Sequence, residues 1–381
     1  MTENPFLIKG YKGAEFFCDR VSETNALIGN VKNGVDTVLI SPRKYGKTGL
    51  IHHVFSQIEK KRLPFETVYV DVFATLSLAD FVKTLAEGIL TKFPEKTSVG
   101  KAFVQLLKGF RPTFTFDPLT GVPQVFFNYV NAADKEYTLK SLLEFLNSQK
   151  KKVVLAIDEF QQIVEYPEKN VEALLRTYTQ QLHNIRFIYC GSKRSVMSAI
   201  FTDARRPFFS STGMLSLDKI PKDVYGEFIR TQFGKARISI EDEALQYILD
   251  WTRCHTFYTQ SLCNEIFSYG PKKVSVDVVR VACYNILDRE SNYFLQYREL
   301  LTQQQWLMLV GIAREGEVSQ VTAKAFLNKY NIGSVTNAKR IIESLVKKDL
   351  LLPILSVEKT SYQVYNVFFC RWLEKEYYGI T

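Results

Sequence analysis

The chain has 381 residues, 46% of them hydrophobic, enough for two or three domains with true cores, and no apolar run approaches the ~18 residues that span a bilayer. The net charge of +9 is spread along the chain rather than gathered in a tail, which permits a polyanionic partner without requiring one. The six cysteines are scattered with no Cys-x-x-Cys pair, and the four histidines form no metal-spaced cluster with them. A disulfide framework or zinc site is thereby excluded as the organising feature, and a cytoplasmic location is expected.

Residues 1–14 read as an extended lead-in without a secretory apolar core. Phe16-Phe17-Cys18-Asp19-Arg20 then precedes a helical stretch, with Asp19 or Ser22 as its expected cap. Its place just upstream of the next motif suits it to wall a base pocket. The apolar run Val38-Leu39-Ile40 ends in Ser41-Pro42-Arg43-Lys44-Tyr45-Gly46-Lys47-Thr48, and helical spacing follows over residues 49–61. Strand, tight loop and helix in that order form the context of a phosphate-binding loop. The first amides of a helix have no partner within it and point beyond its end. Gly46 lets the backbone approach a phosphate, Lys47 reaches the β- and γ-phosphates, and Thr48 offers a hydroxyl to Mg²⁺. Ser41 stands where such loops usually carry their first Gly. His52 and His53 are adjacent on the helix and face different directions.

A strand at 67–72 and a helix at 76–90, with Leu78, Phe81, Val82, Leu85 and Ile89 on one face, complete a β-α-β-α order. That order argues for a parallel sheet covered by helices. A helix at 102–109 leads to an inserted hairpin, about residues 111–128, turning at Asp117-Pro118-Leu119-Thr120-Gly121. After a helix at 137–149, Val153-Val154-Leu155-Ala156-Ile157 reads as a strand buried on both faces, ending in Asp158-Glu159. At the carboxyl edge of a parallel sheet Asp158 is expected to hold Mg²⁺, mostly through water. Glu159 is expected to orient and deprotonate an attacking water. A helix at 171–182 and a strand at 185–190 lead to Gly191-Ser192-Lys193-Arg194. Ser192 is a candidate to place the water, and Lys193 or Arg194 to offset phosphate charge, with a plain solvated turn as the alternative. Arg206, in the loop before a last strand at 214–217, faces either nucleotide or solvent.

From residue 221 only helices are expected, at 223–233, 241–253, 258–268 and 276–287, with His255 between two of them. Helices at 303–314, 321–329 and 334–348, then strands at 350–355 and 362–365, follow winged helix-turn-helix order. The third of these helices opens at Ser334 and carries Thr336, Asn337, Lys339, Arg340 and Lys347, a face suited to a DNA groove. The interspersed Glu343, Asp349 and Glu358 suit a protein contact equally. The expected domains are 1–217, an α/β domain; 218–290, helical; and 291–381, the winged helix.

Taken together these motifs resemble the STAND-type branch of AAA-like P-loop ATPases from archaea and bacteria that carry a C-terminal winged helix. The resemblance runs over nearly the whole chain. Phe17-Cys18-Asp19-Arg20 is similar to that group's first motif, which implies that Phe17 and Arg20 lie near the adenine. Residues Ser41 to Thr48, with the following Gly49, resemble its Walker A form, basic residues after Pro42 included. Ile157-Asp158-Glu159-Phe160-Gln161 resembles its Walker B, and Gly191-Ser192 its sensor 1. His255-Thr256-Phe257-Tyr258 resembles the segment its helical lid places near nucleotide, and Phe368 to Leu373 its closing segment. Three positions depart from the pattern: Asp19 replaces a Gly, Thr256 a Pro, and Ser210-Ser211 an Arg that Arg194 or Arg206 would have to supply. The resemblance implies an ATP-binding, Mg²⁺-dependent NTPase used as a conformational switch, with a DNA or protein partner at the winged helix and a nucleotide-dependent oligomer. The alternatives are a nucleotide-bound DNA-binding or scaffolding regulator with little turnover, and a small-molecule kinase on the same loop.

Overall fold

In the computed structural model, which describes residues 3–110, 112–119, 121, 123–355 and 359–379, the chain forms two compact units. One is Gly10–Lys219; the other joins Met1–Lys9 to Ile220–Thr381.

The first unit runs through α1 (Val21–Asn33), β1 (Thr37–Ile40), α2 (Lys47–Lys60), β2 (Phe65–Asp71), α3 (Leu78–Lys92), α4 (Ser98–Lys108), β3 (Thr113–Phe116), β4 (Pro123–Phe126), α5 (Ala132–Asn147), β5 (Lys152–Asp158), α6 (Val171–Thr179), β6 (Ile185–Gly191), α7 (Arg194–Thr202) and β7 (Gly213–Ser216). Five strands make one sheet in the order β2-β5-β6-β1-β7, every pair parallel. Side chains alternate across it, as the pleat requires. Val38, Ile40, Leu155 and Ile157 pack on one face with the apolar sides of α3, α5 and α7. Leu39, Val154, Ala156 and Ile188 pack on the other with α1 and α2. This order sets the ends of β1 and β5 on either side of the end of β6, all at the carboxyl edge, where α/β sheets bind ligands. β3 and β4 pair as the expected antiparallel hairpin; Arg111, Thr120 and Val122 of that insertion lie outside the described residues.

Several local expectations are corrected. Neither Asp19 nor Ser22 caps α1: Arg20 occupies the cap position in a left-handed conformation with no side-chain cap bond. The Ser22 hydroxyl donates instead to Glu23. Helix α5 begins five residues earlier than expected, because Asn131 and Asp134 form a reciprocal capping box. Between Arg194 and the loop at Arg206, where the sequence predicts no element, the chain winds into α7, burying Met197, Ile200 and Phe201.

In the second unit α8 (Lys222–Lys235), β8 (Ser239–Ile240), α9 (Asp242–Trp251), α10 (Thr256–Ser268), β9 (Lys273–Val274) and α11 (Val276–Leu300) are followed by α12 (Gln303–Glu315), α13 (Lys324–Lys329), α14 (Val335–Lys347), β10 (Leu351–Leu355), β11 (Thr360–Val364) and α15 (Val367–Tyr378). Three helices and the β10–β11 hairpin give the expected winged helix; residues 356–358 of its turn lie outside the described residues. Helix α11 is 25 residues long, running well past the expected end at 287, and α15 adds a helix after the wing. The two helical regions are tied together through α15. Arg371 donates to the carbonyls of Trp251 and Asp250 at 3.0 and 3.1 Å, and Arg253 lies 3.8 Å from the buried Glu374 carboxylate.

The first part of the lead-in, residues 3–9, also belongs to this unit. Phe6 is buried against Phe233, ring centroids 4.8 Å apart. Asn4 and Asn264 exchange side-chain bonds with main-chain carbonyls, Asn4 to Asn264 at 3.0 Å and Asn264 to Phe6 at 2.7 Å.

Candidate functional site

The loop between β1 and α2 takes a shape that its sequence explains. Lys44 and Gly46 both have positive φ, 66° and 94°, and Gly46 is the cap of α2. Left-handed turns of this kind converge successive amides into an anion-binding hollow. Ser41 is buried and its hydroxyl donates to the Pro42 carbonyl at 3.0 Å, so the residue in place of Gly satisfies itself within the loop. Lys47, the first helical residue, is 6% exposed. Arg20 braces the loop from outside: its guanidinium donates to the Tyr45 carbonyl at 3.4 Å and the Asp218 carbonyl at 2.6 Å. Burial, with the Asp218 charge nearby, pushes the Tyr45 phenol up to about 12.

Beside the start of α2, a cleft of about 230 Å³ is lined by Gly10, Tyr11, Thr48, Gly49 and His52. Phe17 approaches Gly49 and stacks on His53 at 4.3 Å and 13°, and the Tyr11 hydroxyl lies 3.0 Å from His53 Nδ1. Burial lowers the pKa of both His52 and His53, favouring neutral rings.

The acidic pair stands at the end of β5. The Thr48 hydroxyl donates to Asp158 Oδ2 at 2.7 Å, joining the loop to the strand directly. Tyr69 of β2, absent from the sequence reading, donates to the same oxygen at 3.0 Å, and its ring lies against His52. The other oxygen, Oδ1, accepts the Glu159 amide at 3.0 Å. Asp71 was also missed: it is the register partner of Asp158 on β2, and burial and then the charges of Asp158 and Glu159 raise its pKa. The signal for both lay in β2, but only strand order reveals it.

Glu159 adopts φ 55°, left-handed, and its carboxylate meets three groups. Lys47 Nζ is 3.9 Å from Oε1, while Ser192 Oγ and Gln161 Nε2 donate to Oε2 at 2.7 and 2.5 Å. The structure therefore brings together Lys47, Thr48, Asp158, Glu159 and Ser192, and adds Tyr69, Asp71 and Gln161. Two of the basic candidates, Lys193 and Arg206, are engaged elsewhere. Lys193 pairs with Glu165 at 3.8 Å, Arg206 with Glu172 at 2.8 Å, and Arg194 opens α7 exposed. His255 belongs to the other unit, capping α10 with its ring 4.5 Å from Tyr258.

Thr48 and Asp158 offer the hard oxygen donors that Mg²⁺ takes, already converged within hydrogen-bond distance. Among the described residues no group of three or more His, Cys, Asp or Glu side chains could hold a metal ion.

On the winged helix, Thr336, Lys339, Arg340 and Lys347 are exposed along α14, while the Asn337 amide donates to Gln304 of α12.

Residues 17–254 match the family described as "ATPase domain predominantly from Archaea", and residues 292–375 match "Probable winged helix domain". No curated protein sequence matches the chain. Among solved structures, the Walker-type ATPase of Pyrococcus abyssi is similar with TM-score 0.67 at 16% identity, over 97% of this chain and 99% of that one. The ORC2 protein of Aeropyrum pernix, solved as ADPNP–ADP complexes, is similar with TM-score 0.58 at 16% identity, over 98% of each chain. The ORC1 protein of Aeropyrum pernix, solved in complex with DNA, has TM-score 0.51 at 13% identity, over 94% of this chain and 93% of that one. At these identities the likeness is one of fold.

Proposed function

The chain belongs to the family of ATPase domains found predominantly in Archaea, and from that premise we propose that it binds ATP with Mg²⁺ and hydrolyses it to drive a conformational switch. The observation that carries this reading is the single cluster of Lys47, Thr48, Asp158, Glu159 and Ser192 at one sheet edge. The loop amides and Lys47 bind the phosphates, and Lys47 moves from Glu159 to the transferring group as charge develops there. Thr48 and Asp158 hold the metal, which supplies charge neutralisation to the phosphate oxygens. Phe17, Tyr11 and the histidines of α2 give the base an apolar wall, and Arg20 keeps the loop in shape. Glu159 accepts a proton from water. The water oxygen bonds to the γ-phosphorus, and the bond to the β-phosphate breaks with its electron pair leaving on ADP.

Two variants test the proposal. Lys47→Ala is expected to lose ATP binding, and Glu159→Gln to keep it while losing turnover. Unchanged ATP affinity in the Lys47 variant overturns the reading.

A second reading, duplex DNA at the winged helix, is favoured by the exposed Lys339, Arg340 and Lys347 on α14 and by the DNA complex of the ORC1 structure. Binding of the full chain to duplex DNA should then weaken steeply with salt. The triple variant Lys339→Ala, Arg340→Ala, Lys347→Ala should lose it, and binding that is indifferent to salt and to these changes removes this reading.

A further inference from the structure

Gln161 lies in the short 3₁₀ turn Phe160–Glu165 that follows the acidic pair, and it is 3% exposed. A buried primary amide is costly unless its donors and acceptor are used. One end is engaged: Nε2 donates to Glu159 Oε2 at 2.5 Å, the oxygen that also accepts from Ser192 Oγ at 2.7 Å. The other end is not: Oε1 is buried without a hydrogen-bond partner among the described residues. The amide's orientation follows from charge, because turning it would set its oxygen against an ionised carboxylate, acceptor against acceptor. The backbone beside it is fitted to this placement. A Cβ at Gly191 would overlap both Gln161 Oε1 and the Met197 side chain. The Gly-Ser at the end of β6 therefore has two parts: Gly191 makes room for the Gln161 amide, and Ser192 supplies the second donor to the same carboxylate oxygen.

With both donors on Oε2, the two oxygens of Glu159 are unequal. Oε2 is held at two short hydrogen bonds, whereas among the described residues Oε1 has only the Lys47 ammonium, at 3.9 Å. A carboxylate that takes a proton from water in one defined geometry needs one oxygen anchored and the other open. Glu159 also sits in a left-handed backbone conformation, where no regular helix fixes its side chain. Its direction depends on these partners.

We propose that Gln161 is a positioning residue that clamps Oε2 of Glu159 together with Ser192 and so presents Oε1 to the attacking water. This rests on the reading of Glu159 as the base. Gln161 touches neither water nor nucleotide in this scheme; it acts through Glu159. The unpartnered Oε1 of Gln161 is the cost of aiming its amide at the carboxylate.

The test uses the full chain and measures ATP turnover alongside equilibrium binding of a fluorescent ATP analogue. Gln161→Leu, similar in bulk but without a donor, is expected to lower kcat by about 10–100-fold, by analogy with the loss of outer-shell partners of metal ligands. Analogue affinity should stay within about threefold. Gln161→Glu, which preserves shape and sets a second carboxylate against Glu159, should show the same split and serves if the leucine variant does not fold. In a Glu159→Gln background, single-turnover rates should be indifferent to Gln161→Leu, because the group it positions is gone. A wild-type kcat in both Gln161 variants, a parallel loss of affinity and kcat, or an undiminished effect in the Glu159→Gln background overturns the proposal. If Glu159→Gln alone hydrolyses ATP at the wild-type rate, the base assignment itself fails, and the proposal with it.

Discussion

Asp19 holds φ 56° and Arg20 φ 67°, so the chain turns left-handed twice before α1. The first of these is where the resembling proteins carry Gly, and the backbone explains why: an L side chain there costs about 1 kcal/mol, somewhat less for Asp. Asp19→Gly should therefore raise the unfolding free energy by about 0.5–1 kcal/mol, and Asp19→Val should lower it, in denaturant titrations. Tyr69→Phe removes one donor from Asp158 while leaving the ring against His52. Stability should hardly change, but the Mg²⁺ concentration needed for half-maximal nucleotide binding should rise about tenfold, as for other partners of metal-holding carboxylates. Asp71 offers a pH test. Its carboxyl pKa is raised in the fold, so the native state holds that proton more tightly than the unfolded chain does, and stability falls as pH rises through the raised value. Asp71→Asn should raise the thermal midpoint at about pH 7–8, with the gain fading toward about pH 4, where the unfolded carboxyl also protonates. A gain independent of pH would show that ionisation of the Asp71 carboxyl is not its source. Lys47, Thr48, Asp158 and Glu159 were legible in the sequence because each motif is contiguous. Tyr69 and Asp71 were not, since their meaning depends on β2 pairing with β5, a fact of strand register.

At the scale of elements, periodicity marked most helices and every strand of the large sheet, while most ends moved by a few residues and that of α11 by thirteen. The ends are set by caps, and a cap such as the Asn131–Asp134 box is read only when both halves are noticed. Helix α7 was missed because its nine residues open with the polar Arg194-Ser195, directly after a strand end. It nevertheless closes the site, for Met197 and Gln161 together surround Gly191. Gly191→Ala should cost about 1–3 kcal/mol through overpacking, and it should also slow ATP turnover by disturbing the Gln161 amide. Unfolding midpoints that coincide with wild type would show that the pocket around Gly191 can yield.

For the whole molecule, the α/β order and the winged helix were both visible as patterns, whereas the assignment of the first nine residues to the unit of Ile220–Thr381 was not. Nothing in a short polar lead-in names a partner more than two hundred residues away. Phe6→Ala should lower the stability of that unit by about 3–5 kcal/mol, seen as faster amide exchange in α8 and α10 with little change in β1 and β5. Equal acceleration in both units would contradict the assignment. The same unit contains a continuous helix, α11, of 25 residues, which at 1.5 Å each is about 38 Å long. Tyr258 packs on Phe368 at 4.7 Å, and Arg371 grips the end of α9, so the helices around His255 and the winged helix are cross-braced at more than one point. If it moves as one body, such a truss would act as a lever. A tilt of about 10° applied at one end of α11 displaces the other by about 6–7 Å, enough to move an exposed basic helix by more than the width of a side chain without remaking any contact inside the unit.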